Sequence, residues 1–197
     1  VMILDEYKTI SQKVGEGFYS EKRSKFLAFA HHVTSEDEIK SILQAYKKKY
    51  YDARHCCYAY MLGAERVNFR ANDDGEPSST AGKPILGQIN SFELTDILIV
   101  VIRYFGGTKL GTSGLIVAYR SAAAAAIEAS QIEVKLVEET ITYTFAYPMM
   151  NQVMRIVKEM QPRIVSQNFD NTCSITLAIR QSEAERLKNA LHKLSFE

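Results

Sequence analysis

NDDGEPSSTAGKPILGQINSFELTDILIVVIRYFGGTKLGTSGLIVAYR, residues 72–120, is the stretch from which the rest of the chain is read. At its centre Ile97, Leu98, Ile99, Val100, Val101 and Ile102 form an unbroken, largely β-branched apolar run. Such a run reads as a central strand covered on both faces. Upstream, Ile85, Ile89 and Phe92 recur at helical spacing, and Pro84 suits the first turn of a helix beginning near Gly82. Downstream, residues 115–129 read as a helix with six alanines between Ala118 and Ala126, small enough to lie close on a sheet. Two loop-rich segments remain, residues 72–84 and 103–114, and seven of the ten glycines fall within the window. Glycine permits positive φ and close approach of backbone to backbone or ligand, so a site is expected there.

Working outward, residues 1–33 read as strands, most clearly from Ser24 to Ala30, and residues 34–49 as a helix. Ser35 and Glu38 have capping-box spacing, Ile39, Ile42, Leu43 and Tyr46 make one apolar face, and Lys47, Lys48 and Lys49 complement the helix C-terminus. Residues 55–62 read as a strand with a hairpin partner near residues 66–70, and Ile132, Val134 and Leu136 as a strand returning to the same sheet. The pattern then restarts. Residues 140–147 alternate strictly, and Pro148 opens a helix carrying Val153, Ile156 and Val157. A weaker strand spans residues 163–169; Asp170 and Asn171 turn the chain, and Cys173, Ile175, Leu177 and Ile179 alternate. Ser182 and Glu185 have capping-box spacing ahead of Leu187, Leu191 and Leu194. The order β-α-β-β-α is that of a ferredoxin-like unit lacking its last strand. The expected fold class is α+β in two domains, residues 1–136 and 137–197.

Composition bounds the function. A net charge of +1 requires neither nucleic acid nor an acidic partner on electrostatic grounds, although a local basic patch remains open. Cys56, Cys57 and Cys173 lie in apolar runs without C-x-x-C spacing, the pattern of reduced, buried thiols in a cytoplasmic protein. No basic-then-apolar leader and no apolar run of about 18 residues is present, so neither export nor a membrane partner is expected.

The loops fail the phosphate-loop fingerprints. Gly75 and Gly82 are separated by six residues rather than a Walker A's four, Lys83 is followed by Pro84, and no G-x-G-x-x-G occurs around Gly106, Gly107, Gly111 and Gly114. Three readings stay open. In one, Asp73 and Asp74 cap turns while Glu76 pairs with an arginine across the loops. In another, the helix start at Thr80, Gly82 and Lys83, with Arg103, Lys109 and Arg120, grips an anion or RNA while Tyr104 stacks. In the third, Asp73, Asp74 and Glu76 hold a divalent cation. A nucleophilic site from His55 with Cys56, Cys57, Ser78 or Ser79 lacks any elbow motif, and His31, His32 and His192 lack ligand spacing.

Taken together, Asp73-Asp74-Gly75-Glu76-Pro77, Thr80-Ala81-Gly82-Lys83-Pro84, Arg103-Tyr104-Phe105-Gly106-Gly107, Leu110-Gly111 and Ala118-Tyr119 resemble the signature of the YigZ/IMPACT family, with support from Arg23-Ser24-Lys25-Phe26. Ser79 and Ser113 depart from it, standing where many members have glycine. The resemblance implies an N-terminal domain like the fourth domain of elongation factor G, a sheet with helices on one face. It implies a C-terminal domain like that factor's ferredoxin-like fifth. It also brings in eukaryotic relatives that regulate translation by competing for an activator of a stress-responsive kinase. The expected function is therefore a non-catalytic, monomeric, translation-associated module that binds RNA, the ribosome or a translation factor, with no cofactor and no metal. Its contacts would be Lys25, Lys83, Arg103, Tyr104, Gly106, Gly107, Lys109, Gly111 and Arg120. The rivals are a small-molecule binder or hydrolase whose cleft is built on His55, Asp73, Asp74, Glu76, Thr80 and Gly82, and a protein-interaction domain whose glycines serve packing alone.

Overall fold

A computed structural model describes residues 5–196; the strand expected at residues 1–4 lies outside them. The chain divides into two compact units, Tyr7–Lys135 and a smaller one from Leu136 onward that also takes in Asp5 and Glu6.

The larger unit contains strands β1 (Glu6–Ile10), β2 (Gly15–Glu21), β3 (Ser24–His32), β4 (His55–Leu62), β5 (Asn68–Asn72), β6 (Ile97–Tyr104) and β7 (Ile132–Leu136). Its helices are α1 (Glu36–Lys49), α2 (Gly82–Ser91) and α3 (Gly111–Glu128). Five strands form an antiparallel sheet in the order β2-β3-β6-β4-β5. The apolar run of residues 97–102 is its central strand and is buried on both faces. Ile97, Ile99 and Val101 face α2 and α3, where Ala118, Ala122, Ala123 and Ala126 allow the long helix to lie close. Leu98, Val100 and Ile102 face the other way, onto Ile39, Ile42 and Leu43 of α1. Helices therefore cover both faces, not one as the resemblance implied. The reason is the alternation of β6: with period two, an all-apolar strand must bury two faces, and each needs a cover.

Two further expectations are corrected. β7 pairs with β1 in a separate two-stranded sheet and does not return to the large one, and Val134 is 60 % exposed. Alternation alone shows that a strand forms, not which strand it pairs with. α3 begins at Gly111 rather than Leu115, because Gly111 takes a φ of +74° at the entry and residues 112–114 then wind as the first turn. At α1 the cap forms as expected: Ser35 Oγ accepts from the Glu38 N–H at 3.2 Å.

In the smaller unit β8 (Glu138–Phe145), α4 (Met150–Met160), β9 (Arg163–Phe169), β10 (Cys173–Arg180) and α5 (Ala184–Lys193) follow in β-α-β-β-α order. The sheet is antiparallel in the order β8-β10-β9. Val153 and Val157 of α4 and Leu187 and Leu191 of α5 bury Cys173, Ile175 and Leu177. The Ser182–Glu185 capping box is not made. Ser182 lies in a 3-10 turn, its N–H donates to Asp5 Oδ1 at 3.2 Å, and α5 starts at Ala184 without a side-chain cap.

Candidate functional site

The register of the large sheet places Arg103 on β6 between Phe26 of β3 and His55 of β4, all three on the face that carries α2 and α3. The apolar core ends at this row, and the loop of residues 73–81 folds over it. Each carboxylate of that loop has its own partner. Asp73 accepts from the N–H groups of Ser79 (2.9 Å), Ala81 (3.2 Å) and Gly82 (2.8 Å), so it occupies the N-terminus of α2. Asp74 accepts from the Cys56 N–H at 2.7 Å. Glu76 is 8 % exposed and receives Arg103 Nη1 at 2.7 and 2.8 Å on its two oxygens.

His55 completes the arrangement. Its Nδ1 lies 2.7 Å from the Asp74 carbonyl oxygen and its Nε2 lies 2.8 Å from Glu76 Oε1. A carbonyl only accepts, so Nδ1 carries a proton. With Nδ1 turned to that carbonyl, Nε2 faces the Glu76 carboxylate. His55, Asp74 and Glu76 thus converge within hydrogen-bonding reach, the geometry the small-molecule reading required. The three carboxylates point to three separate sets of donors, and no group of three His, Cys, Asp or Glu side chains suited to a metal occurs among the described residues.

Arg103 is 5 % exposed, with Phe26 and Phe105 rings 5.5 and 5.6 Å from its guanidinium carbon. Arg103, expected among the phosphate contacts, is held by Glu76 and forms the floor of the site. The anion site expected at Thr80, Gly82 and Lys83 is likewise filled from within by Asp73. Thr80 donates its hydroxyl to the Pro77 carbonyl at 2.6 Å, and Lys83 is exposed but outside the cleft. Arg120, deep in α3, is exposed and does not line the cleft either.

The cysteines are not nucleophiles in waiting. Cys57 Sγ is buried 3.0 Å from the Asp73 carbonyl and 3.4 Å from the Tyr119 hydroxyl, and burial pushes both the thiol and the phenol upward. Burial, helped by the Asp74 carboxylate, pushes the Cys56 thiol up to about 11.

Beyond this clasp lies a cleft of about 320 Å³, lined by Arg54, His55, Glu76, Arg103, Phe105 and Lys109 and by Leu110, Gly111 and Thr112 at the start of α3. Beside it the β2–β3 turn and the loop of residues 105–109 form one surface. Gly106 is pressed onto the turn, where an added Cβ would come within 2.2 Å of the Arg23 carbonyl carbon, and its N–H donates to Ser24 Oγ at 3.2 Å. Exposed Lys22, Arg23 and Lys25 gather there with Phe18, Tyr104 and Phe105. Tyr104 pairs with Lys25 in register and donates its hydroxyl to Asp52 at 2.9 Å. Sequence reasoning passed over Lys22 and Arg54. The available signal was their place: one in the turn before the Arg23-Ser24-Lys25-Phe26 motif, the other just before the His55 strand.

A family model, the Impact N-terminal domain, matches residues 22–127. An IMPACT family member of Haemophilus influenzae is 30% identical over 176 residues, covering 88% of this chain and 85% of that protein. The chain belongs to the IMPACT family. Another member, YvyE of Bacillus subtilis, is 42% identical over 117 residues, 59% of this chain and 54% of that protein. A solved structure, described only as that of a hypothetical protein, shares the fold with a TM-score of 0.72 at 24% identity, over 98% of this chain and 94% of the other. The segments on which the resemblance rests, residues 73–77, 80–84 and 103–107, in large part build the clasp. Ser79, one of the two departures from the family's glycine pattern, takes a φ of 65°, a conformation in which glycine is unstrained.

Proposed function

We propose that the chain is a translation-associated regulatory module that binds RNA through phosphate contacts on the surface shared by the β2–β3 turn and the loop of residues 105–109. The observation that carries this reading is the grouping of Lys22, Arg23 and Lys25 around Phe18, Tyr104 and Phe105, with Phe18 55 % and Phe105 39 % exposed. Cations that track phosphate beside aromatic faces on which bases stack are the ingredients of single-strand recognition. Family membership supports the translation setting, since the eukaryotic relatives brought in by the resemblance are translation regulators. A role without catalysis agrees with the clasp. On this reading Glu76, Asp74 and His55, each bonded to protein groups, serve to hold the loop of residues 73–81 on the sheet.

The test is fluorescence anisotropy of a labelled single-stranded RNA, titrated across a series of salt concentrations. Binding should weaken linearly on a log–log plot. Arg23→Ala/Lys25→Ala should reduce the slope by about 0.7 for each phosphate no longer neutralised. Binding that ignores salt, or that survives the double substitution with its slope intact, would refute the proposal.

A further inference from the structure

Helix α1 covers only part of its face of the large sheet. Tyr46 and Tyr50 stack 6.1 Å apart, and their rings lie 4.8 and 5.9 Å from that of Phe29 on β3. The helix ends there, with Tyr50 as its C-cap. Nearer the β2–β3 turn, Phe18 stands opposite Leu27, and Lys25 opposite Tyr104. These four side chains, with Arg23 and Phe105, line an open groove of about 610 Å³. Beside Tyr104 the chain leaves α1 through Tyr50, Tyr51 and Asp52. Tyr51 is 84 % exposed, and Lys49 Nζ lies 5.3 Å from the centre of the Tyr50 ring. Burial and the bond to Asp52 push the Tyr104 phenol upward, and the phenols of Tyr50 and Tyr51 are near enough to add to this. Rings and cations therefore continue from the β2–β3 turn to the end of α1.

We infer that this groove holds an unpaired RNA strand, its bases against Phe18, Tyr104 and Tyr51 and its backbone running from Lys25 to Lys49. The inference rests on the RNA reading above and deepens it: it names the state of the strand and carries the contact on to the end of α1. Lysines in a last turn complement the helix dipole, and Lys47, Lys48 and Lys49 need no other role on that account. The rings left in water beside them are the second observation, since exposed apolar groups gathered in one place mark a contact surface. Bases offer ring faces for stacking whatever their sequence. In a duplex those faces are already stacked on one another, so a groove lined by aromatic rings selects the unpaired strand. An acidic peptide would answer the cations and leave the rings without planar partners. Asp52, the carboxylate next to the rings, accepts from the Tyr104 hydroxyl and so holds that ring in place.

The experiment compares a labelled oligoribonucleotide of about ten nucleotides, within the usual range of single-strand sites, with the same strand annealed to its complement. Anisotropy titrations of the full chain should show the single strand bound about tenfold or more tightly than the duplex. Phe18→Ala and Tyr51→Ala remove exposed rings, so the circular dichroism melt should be unchanged. Each should weaken single-strand binding about tenfold while keeping the salt slope, because a stacked base carries no counterion. Lys49→Ala should instead lower the slope by about 0.7. A polyglutamate peptide at equal charge concentration should not displace the strand. Displacement by that peptide, equal affinity for the duplex, or unchanged affinity in folded Phe18→Ala and Tyr51→Ala would overturn the inference. The two readings fail separately. Salt-dependent binding that is lost in Arg23→Ala/Lys25→Ala but indifferent to strand state and to the rings removes the groove and keeps the phosphate contacts. Absence of binding to any RNA removes both.

Discussion

Glu76 concentrates the energetics of the site at the scale of one residue. Its carboxylate is almost wholly buried, pairs with Arg103 through both oxygens and also meets His55. A buried ion pair gains little over a well-packed apolar pair, but removing one partner strands the other charge away from water. Glu76→Gln keeps the shape and loses the charge, leaving the Arg103 guanidinium between two aromatic rings with no counter-ion. The expected cost is about 3–5 kcal/mol in urea unfolding. Glu76→Leu/Arg103→Met should recover most of it, and a double substitution no better than the single one would show that the pair is not the source. The sequence held this pairing as one of three readings of the loop. It could not choose, because the choice depends on the register that sets Arg103 opposite His55, a pairing made across 48 residues of chain.

The element that turns this clasp into a surface is the loop between β6 and α3. Its glycines do different work. Gly107 and Gly111 have positive φ with open space where a side chain would stand, while Gly106 is fitted against the backbone of the β2–β3 turn. Gly106→Ala forces the two apart, since the atoms it would meet are main chain and cannot swing aside. The expected loss is about 1–3 kcal/mol, the usual cost of overpacking, together with faster amide exchange at Arg23 and Ser24. Gly107→Ala meets nothing, so only its backbone strain should register, and a larger effect there than at Gly106 would contradict this division. Crowded glycines were visible in the sequence; their separate duties were not, because a close approach depends on which distant strand arrives. The same limit explains α3, whose start was placed late because Gly111, Thr112 and Ser113 read as loop chemistry until the helix closes on them. β7 shows it too, since local alternation carries no record of a partner strand at the far end of the same unit.

Over the whole molecule the two units differ in how much core they command. Two apolar layers sandwich the five-stranded sheet of Tyr7–Lys135, so residues 97–102 are covered from above and below. The smaller unit has one layer, with α4 and α5 on a single face of three strands, and every residue of β9 is exposed. The surface buried on folding falls steeply with size, and a unit of about 60 residues is correspondingly marginal. Stability need not be uniform along the chain when its parts have separate cores. We place the domain boundary near residue 136 on this basis, and it carries a measurable consequence. In hydrogen exchange of the full chain in rising urea, amides of β8 and β10 should lose protection first. Those of β3, β4 and β6 should hold until global unfolding, giving two transitions rather than one. Strand β9 should be the earliest of all, because its side chains are exposed and it has β10 alone to pair with. One concerted loss of protection across both units would remove the boundary as a thermodynamic division.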